Sequence, residues 1–227
     1  MGFLLPIALF SEESYFQIFF LGLPVVQVQI IEEIDPMTQE LLVDFHPKVN
    51  DWIPRRYFVD NHYRLRISPD LNGILKYEKN IHQYNMKQQY FQWLDGDIMR
   101  YSTGESRIIP KPAHHMLSLI IALQYAEYQP EKPTLMELEG KLYSVWWEDV
   151  EDIEHPNQYA YEIFLKPMGG KRVLEKTDFF TYKLDDSKAR RFIGYSKEDG
   201  RIRSAKFLFG TLTLTAARIT KGDSQFR

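Results

Sequence analysis

The sequence predicts an α+β fold that is mostly antiparallel β, with a curved, half-barrel-like sheet wrapped around one central apolar helix. Three observations carry this prediction. Apolar and polar residues alternate with period two through most of the 227 residues, the pattern of strands that bury one face. Glycine-centred turns punctuate those runs at hairpin spacing. One stretch, residues 115–128, lacks Gly and Pro and is apolar all round over Met116-Leu117-Ser118-Leu119-Ile120-Ile121-Ala122-Leu123, as a buried helix requires.

The elements follow in order. Phe16 to Phe20 and Val26 to Ile30 flank Gly22-Leu23-Pro24 and make a first hairpin. The stretch from Pro47 to Pro54 reads as a surface excursion. Tyr63, Leu65 and Ile67 alternate with His62, Arg64 and Arg66, setting an apolar face against a basic one. Phe91 to Leu94 and Ile98 to Tyr101 are joined through Asp95-Gly96, a pair suited to the positive φ of a tight turn. Pro110 and Pro112 precede the helix and Pro130 follows it. Glu139-Gly140 turns Leu135 to Leu138 into Leu142 to Trp147. Tyr159, Tyr161, Ile163 and Leu165 form another alternating strand. Asp199-Gly200 leads into Ile202 to Phe209, and Gly210 opens the last strand, Thr211 to Thr215.

Composition narrows the function classes. Lys+Arg 28 against Asp+Glu 31 leaves a net charge of −3, which argues against nucleic acid as a partner. The absence of cysteine excludes disulfides, thiolate metal sites and a cysteine nucleophile. The apolar run Phe3 to Phe10, followed by Ser11-Glu12-Glu13-Ser14, is read as a signal-peptide remnant over residues 1–11. Residues 12–227 then form a single curved-sheet domain that is exported to the periplasm. The other reading of that run is a first buried strand. No stretch reaches the ~20 apolar residues of a membrane-spanning helix.

Phe16 to Ile30 with its Gly22-Leu23-Pro24 turn, the Leu117-Ser118 helix, and Lys206-Phe207-Leu208-Phe209-Gly210-Thr211-Leu212 together resemble the bacterial exported family known as domain of unknown function 3108, over residues 15–219. The resemblance implies an envelope protein whose fold is similar to the half-barrel of periplasmic lipoprotein carriers, with a helix in the concave face. It implies no reaction. His115 stands where an acidic residue usually opens that helix, Gln124 where an arginine often lies, and Val25-Val26 where a small residue often follows the turn.

Catalytic and metal motifs are sparse. His114 and His115 are adjacent and point in different directions on a helix, without a third ligand at i+3 or i+4. His46, His62, His82 and His155 are scattered in sequence. Glu148, Asp149, Glu151, Asp152 and Glu154 lack the spacing of a calcium loop and read as a solvated acidic loop. Gly169-Gly170-Lys171-Arg172 lacks the first glycine and the hydroxyl residue of a phosphate loop. Ser118, inside the apolar helix, is expected to bond back to the preceding turn. These observations predict a protein that is not an enzyme and carries no cofactor or metal.

Apolar capacity is the remaining signal. A sheet curved over a helix leaves a groove, expected to be lined by Met116, Leu119, Ile120 and Leu123 from the helix and by Phe91, Trp93, Trp146 and Phe209 from the strands. Its expected occupant is a lipid, a lipidated peptide or another hydrophobic molecule. The same residues packed on one another describe a filled core, and the function is then that of a structural or interaction module for another envelope protein.

Overall fold

The structure is a computed structural model that describes residues 11–109, 112–125, 133–151, 157–174, 178, 181 and 183–225. In chain order the strands are β1 (Ser11–Phe20), β2 (Leu23–Ile34), β3 (Leu41–Val49), β4 (His62–Ile67), β5 (Ile74–Gln83), β6 (Met86–Asp95), β7 (Ile98–Tyr101) and β8 (Ser106–Ile108). The helix α1 (Met116–Ala122) follows. After it come β9 (Thr134–Leu138), β10 (Lys141–Val150), β11 (Gln158–Gly170), β12 (Arg190–Ser196), β13 (Ile202–Phe209) and β14 (Leu212–Ile219). The predicted signal remnant lies almost wholly outside the described residues, and β1 already begins at Ser11.

The strands form one sheet of 14, in the order β8-β7-β6-β5-β4-β3-β2-β1-β14-β13-β12-β11-β10-β9. Two antiparallel meanders thus run outward from a β1–β14 pair that joins the chain's ends, with Phe16 opposite Arg218. Hairpin turns set the registers. Leu21 and Gly22 (φ 50° and 79°) and Glu139 and Gly140 (φ 49° and 97°) take two successive positive-φ positions, whose twist matches that of the strands they join. A Cβ at Gly140 would also meet Val173 Cγ1 at 2.8 Å, so this turn admits only glycine.

Side chains bonded across the sheet show that it curls. Tyr101 on β7 donates its hydroxyl to Glu137 on β9 at 3.1 Å, and the Gln92 amide on β6 donates to the same carboxylate. These strands lie at opposite ends of the strand order, so they meet only because the sheet bends round on itself. The segment before α1 ties the start of β5 to the edge strand β9. Ala113 O accepts from Ile74 N at 2.9 Å, while His114 exchanges backbone bonds with Leu135 and Glu137 on β9. Gly73 permits that approach, because a Cβ there would lie 2.9 Å from the Ala113 backbone.

The inward faces of β4, β5, β7, β10 and β12 supply Tyr63, Leu65, Ile67, Tyr77, Met99, Val145 and Tyr195 to the core. Tyr63, Leu65 and Ile67 are the apolar face expected of β4, and Arg64 and Arg66 lie outside. Pro47, in contrast, belongs to β3 and is buried. Its carbonyl accepts from Asn61 N at 3.2 Å, so the excursion begins only after Val49 and exposes Trp52 and Tyr57.

The helix is shorter than its sequence pattern. Six of its seven residues are buried, as an all-apolar helix demands, yet it ends at Ala122. Beyond it the Gln124 and Tyr125 amides bond three residues back, to Ile121 and Ala122, a tightened turn that closes the helix. The side chains of Gln124 and Tyr125 both donate to the buried Glu32 carboxylate on β2, at 2.6 and 2.9 Å. Sequence periodicity cannot anticipate that tertiary pull.

Candidate functional site

A cleft with a free volume of about 210 Å³ lies between α1 and the inward faces of β1, β2, β11, β12, β13 and β14. Met116, Leu117 and Ile120 form the helix side, and Ile18, Val26, Ile163, Ile193, Ala205 and Phe207 stand opposite. The space has a local cause. Ala205 on β13 and Ala216 on β14 are directly paired, and both line the cleft, so two methyl groups occupy ground that larger side chains would fill. Arg191 contributes a buried cation to the lining, which also includes Lys206. Its guanidinium donates to three neutral carbonyls, those of Leu184, Ala189 and Asp186, at 2.5, 2.8 and 2.5 Å. No carboxylate oxygen is among these acceptors, although Asp185 and Asp186 lie close enough to act on its charge, and the space beside it is mostly apolar.

The structure redistributes the eight residues expected to line a groove. Met116 and Ile120 border the cleft. Leu119 and Leu123 are turned away from it into the packed core, with 0% and 8% of their surface exposed. Phe91 and Trp93 lie on the outer face of β6 as a stacked pair 5.6 Å apart, because Tyr90 and Gln92 take the inward positions. Trp146 stacks on Phe164 at 5.4 Å on the outer face of β10 and β11, and its neighbour Trp147 points inward. Phe209, half-buried near the end of β13, lies beyond the cleft with the Lys183 ammonium 5.2 Å from its ring centroid. Sequence reasoning missed every strand residue of the wall, including Ile18, Val26, Ile163, Ile193, the Ala205–Ala216 pair and Arg191. An alanine in a strand carries no signal that it marks a cavity.

A buried polar network occupies the region where the sheet edges meet. Lys79, fully enclosed, pairs with Glu139 and lies 3.4 Å from Asp178. Asp178 accepts from the Tyr63 hydroxyl at 2.5 Å and from Thr181 N and Oγ1 at 2.9 and 2.6 Å. Beside it, Glu137 accepts from Gly140 N, Tyr101 and Gln92. Burial pushes the Glu137 carboxyl up to about 7.

His114 and His115 belong to this interior. His115 caps α1, its Nδ1 accepting from Leu117 N at 3.3 Å while its ring stacks on Tyr77 at 4.1 Å. Ser118 bonds back to His115 O at 2.9 Å, as its place in an apolar helix predicts. Burial lowers His114 to about 4 and His115 to about 3. Both folded values lie below the ordinary 6.5, so below pH 6.5 the unfolded chain takes up protons that the native protein refuses. Their contribution to stability is therefore complete above pH 6.5 and is lost as pH falls through about 4 and about 3. In urea titrations from pH 7 to 3.5, a His115→Asn variant, which retains a capping side chain, is expected to lose less stability on acidification than the wild type. Parallel curves would contradict the assignment.

Of the remaining predicted features, Glu148 and Asp149 are exposed, and residues 152–156 of the acidic run lie outside the described residues. His46 and His62, scattered in sequence, stack face to face with ring centroids 3.8 Å apart. Among the described residues no helix is long and apolar enough to cross a membrane.

No family model matches the chain, and no curated protein matches it. Among solved structures it is similar to the crystal structure of a beta-barrel-like protein of domain of unknown function DUF1849 from Brucella abortus, with a TM-score of 0.49, 9% sequence identity, and coverage of 92% of this chain and 95% of that one.

Proposed function

We propose that the protein is a non-catalytic binding protein of the cell envelope, in which the sheet curls round α1 and holds a hydrophobic or amphipathic molecule in the cleft. The observation that carries this reading is the apolar space of about 210 Å³ opened by the Ala205–Ala216 pair against Met116 and Ile120. It lies below the roughly 300 Å³ at which drug-sized ligand pockets begin. A slender occupant, the acyl chain of a lipid or lipidated peptide, suits it better than a bulky ring system. The Arg191 guanidinium in the wall favours an anionic head on that chain. Export to the periplasm is part of the proposal and rests on the Phe3 to Phe10 run and the family resemblance.

Native mass spectrometry of the protein purified from the periplasm of a bacterial host is the direct test, followed by titration with a fluorescent fatty acid. Ile120→Trp and Ala205→Trp place an indole in the cleft from opposite walls. Each is expected to cut fatty-acid uptake at least about tenfold with the circular dichroism spectrum unchanged. Undiminished uptake by both folded variants would refute the cleft as the binding site.

A second reading, an interaction module, is favoured by the two aromatic stacks on the outer face, Phe91 with Trp93 and Trp146 with Phe164. Aromatic side chains are enriched where proteins dock. Crosslinking in envelope extracts that depends on Trp93 and Trp146, together with a bare protein mass and no lipid uptake, selects this reading over the first.

A further inference from the structure

We propose that His46, His62 and Asp60 form a mononuclear site for a divalent first-row transition ion, zinc being the reference case, on the outer face of β3 and β4. The site is built by strand register. Phe45 pairs with Tyr63 and both point inward, so the next residues along, His46 and His62, project outward opposite each other. The bridge between Lys48 and Asp60 continues the same register and brings the Asp60 carboxylate to that face.

Three donor atoms, one from each residue, lie within 4.8 Å of one another. Asp60 Oδ1 is 2.6 Å from His46 Nε2 and 4.0 Å from His62 Nε2. Ligands of a tetrahedral ion bound at ~2.0–2.1 Å stand about 3.3 Å apart, so these separations bracket what coordination needs. Coordination requires the two rings to turn out of the face-to-face stack they form, so that both Nε2 lone pairs converge on the ion.

The surroundings support a ligand role for His62. Asp44 Oδ1 faces the other nitrogen of that ring, Nδ1, at 3.7 Å, and Asp44 is itself held by Arg64 Nε at 2.9 Å. Neither Asp44 Oδ1 nor His62 Nδ1 has a hydrogen-bond partner among the described residues, although both atoms are buried. Closing that 3.7 Å gap to a hydrogen bond would fix the tautomer that offers Nε2 to a metal. A hydrogen bond between His46 and Asp60 explains the position of one imidazole. Stacking on His46 holds the second ring, and the Asp44 carboxylate behind it is a feature that stacking alone does not require. Two imidazoles with a single carboxylate suit zinc, cobalt, nickel or copper and not calcium or magnesium, which take oxygen ligands. The half-exposed position leaves the remaining coordination to water.

The test is isothermal titration of the metal-free full chain with ZnCl2, together with the visible absorption of the Co2+ form. The expected result is saturable binding of one ion per chain, cobalt d–d bands of a four- or five-coordinate ion, and a higher melting temperature with zinc. His46→Asn, His62→Asn and Asp60→Asn are each expected to remove saturable binding. Asp44→Asn, a change in the supporting shell, is expected to weaken it about 10–100-fold. All four side chains are partly exposed, so circular dichroism can confirm that the variants fold. Absence of saturable binding to the wild type, or binding unchanged in the His46→Asn, His62→Asn double variant, would overturn the proposal.

Discussion

Replacing Lys79 by Met is expected to lower the unfolding free energy by about 3–5 kcal/mol, as removal of one partner from a buried ion cluster does. Lys79 is fully enclosed, and its ammonium is shared by Glu139 and by Asp178 at 3.4 Å. Without it two carboxylates remain in an interior that gives them few other partners. Asp178 keeps the Tyr63 hydroxyl and the two Thr181 donors. Glu139 keeps the Arg172 guanidinium 3.8 Å from its Oε2, an ion pair without a hydrogen bond to that oxygen among the described residues. The carboxyl of Asp178 shows the balance: burial pushes its pKa up, and Lys79, Thr181 and Tyr63 together bring it below the ordinary value. Urea unfolding at pH 7 measures the loss. Adding Glu139→Gln to Lys79→Met is expected to restore part of it by removing one of the two carboxylate charges from the interior. A Lys79→Met protein within 1 kcal/mol of the wild type would show that the cluster contributes little.

The second large effect is a pH dependence centred on Glu137. Its folded value is about 7 against an ordinary 4.5. Between those values the native protein holds a proton that the unfolded chain has released, so raising the pH favours unfolding. The contribution of this group is full below pH 4.5, declines as pH rises, and is lost once pH passes about 7. The shift corresponds to a loss of about 3 kcal/mol. Glu137→Gln removes the titration but keeps a carbonyl to accept from Gly140 N and the Tyr101 hydroxyl. Stability difference curves between the two proteins from pH 4.5 to 8 cancel the histidine contributions, which both share. The variant is expected to gain on the wild type across that range. A constant difference would show that Glu137 does not titrate in the folded protein.

Much of the local structure is legible in the sequence because it depends on neighbours along the chain. Glu139-Gly140 takes positive φ as its hairpin turn requires, and β4 shows its alternation without interruption, whereas the first turn falls at Leu21-Gly22 and the expected turn residues Leu23 and Pro24 pair in β2 with Phe20 and Phe19. Facing is legible only where the two faces differ in polarity. On β6, hydrophobicity alone puts Phe91 and Trp93 inside, yet Gln92 is the buried residue because its amide meets Glu137 across the curl of the sheet. Trp146 and Trp147 are equally apolar and adjacent, so one must point outward, and no local rule selects which.

The sequence by itself determined the mostly antiparallel β character, several hairpins and the presence of one short buried helix, since turn chemistry and periodicity are properties of short segments. Tertiary structure decided what closes against what. Lys79 and Glu139 are 60 residues apart and Lys79 and Asp178 are 99 apart, and only the curl of a 14-stranded sheet brings them together. The register of β3 against β4 likewise sets His46 beside His62, and that of β13 against β14 sets Ala205 beside Ala216. The hairpin turn at Gly210 sets the Ala205–Ala216 register, whereas the separations of 60 and 99 residues within the Lys79 cluster carry no information about distance in space.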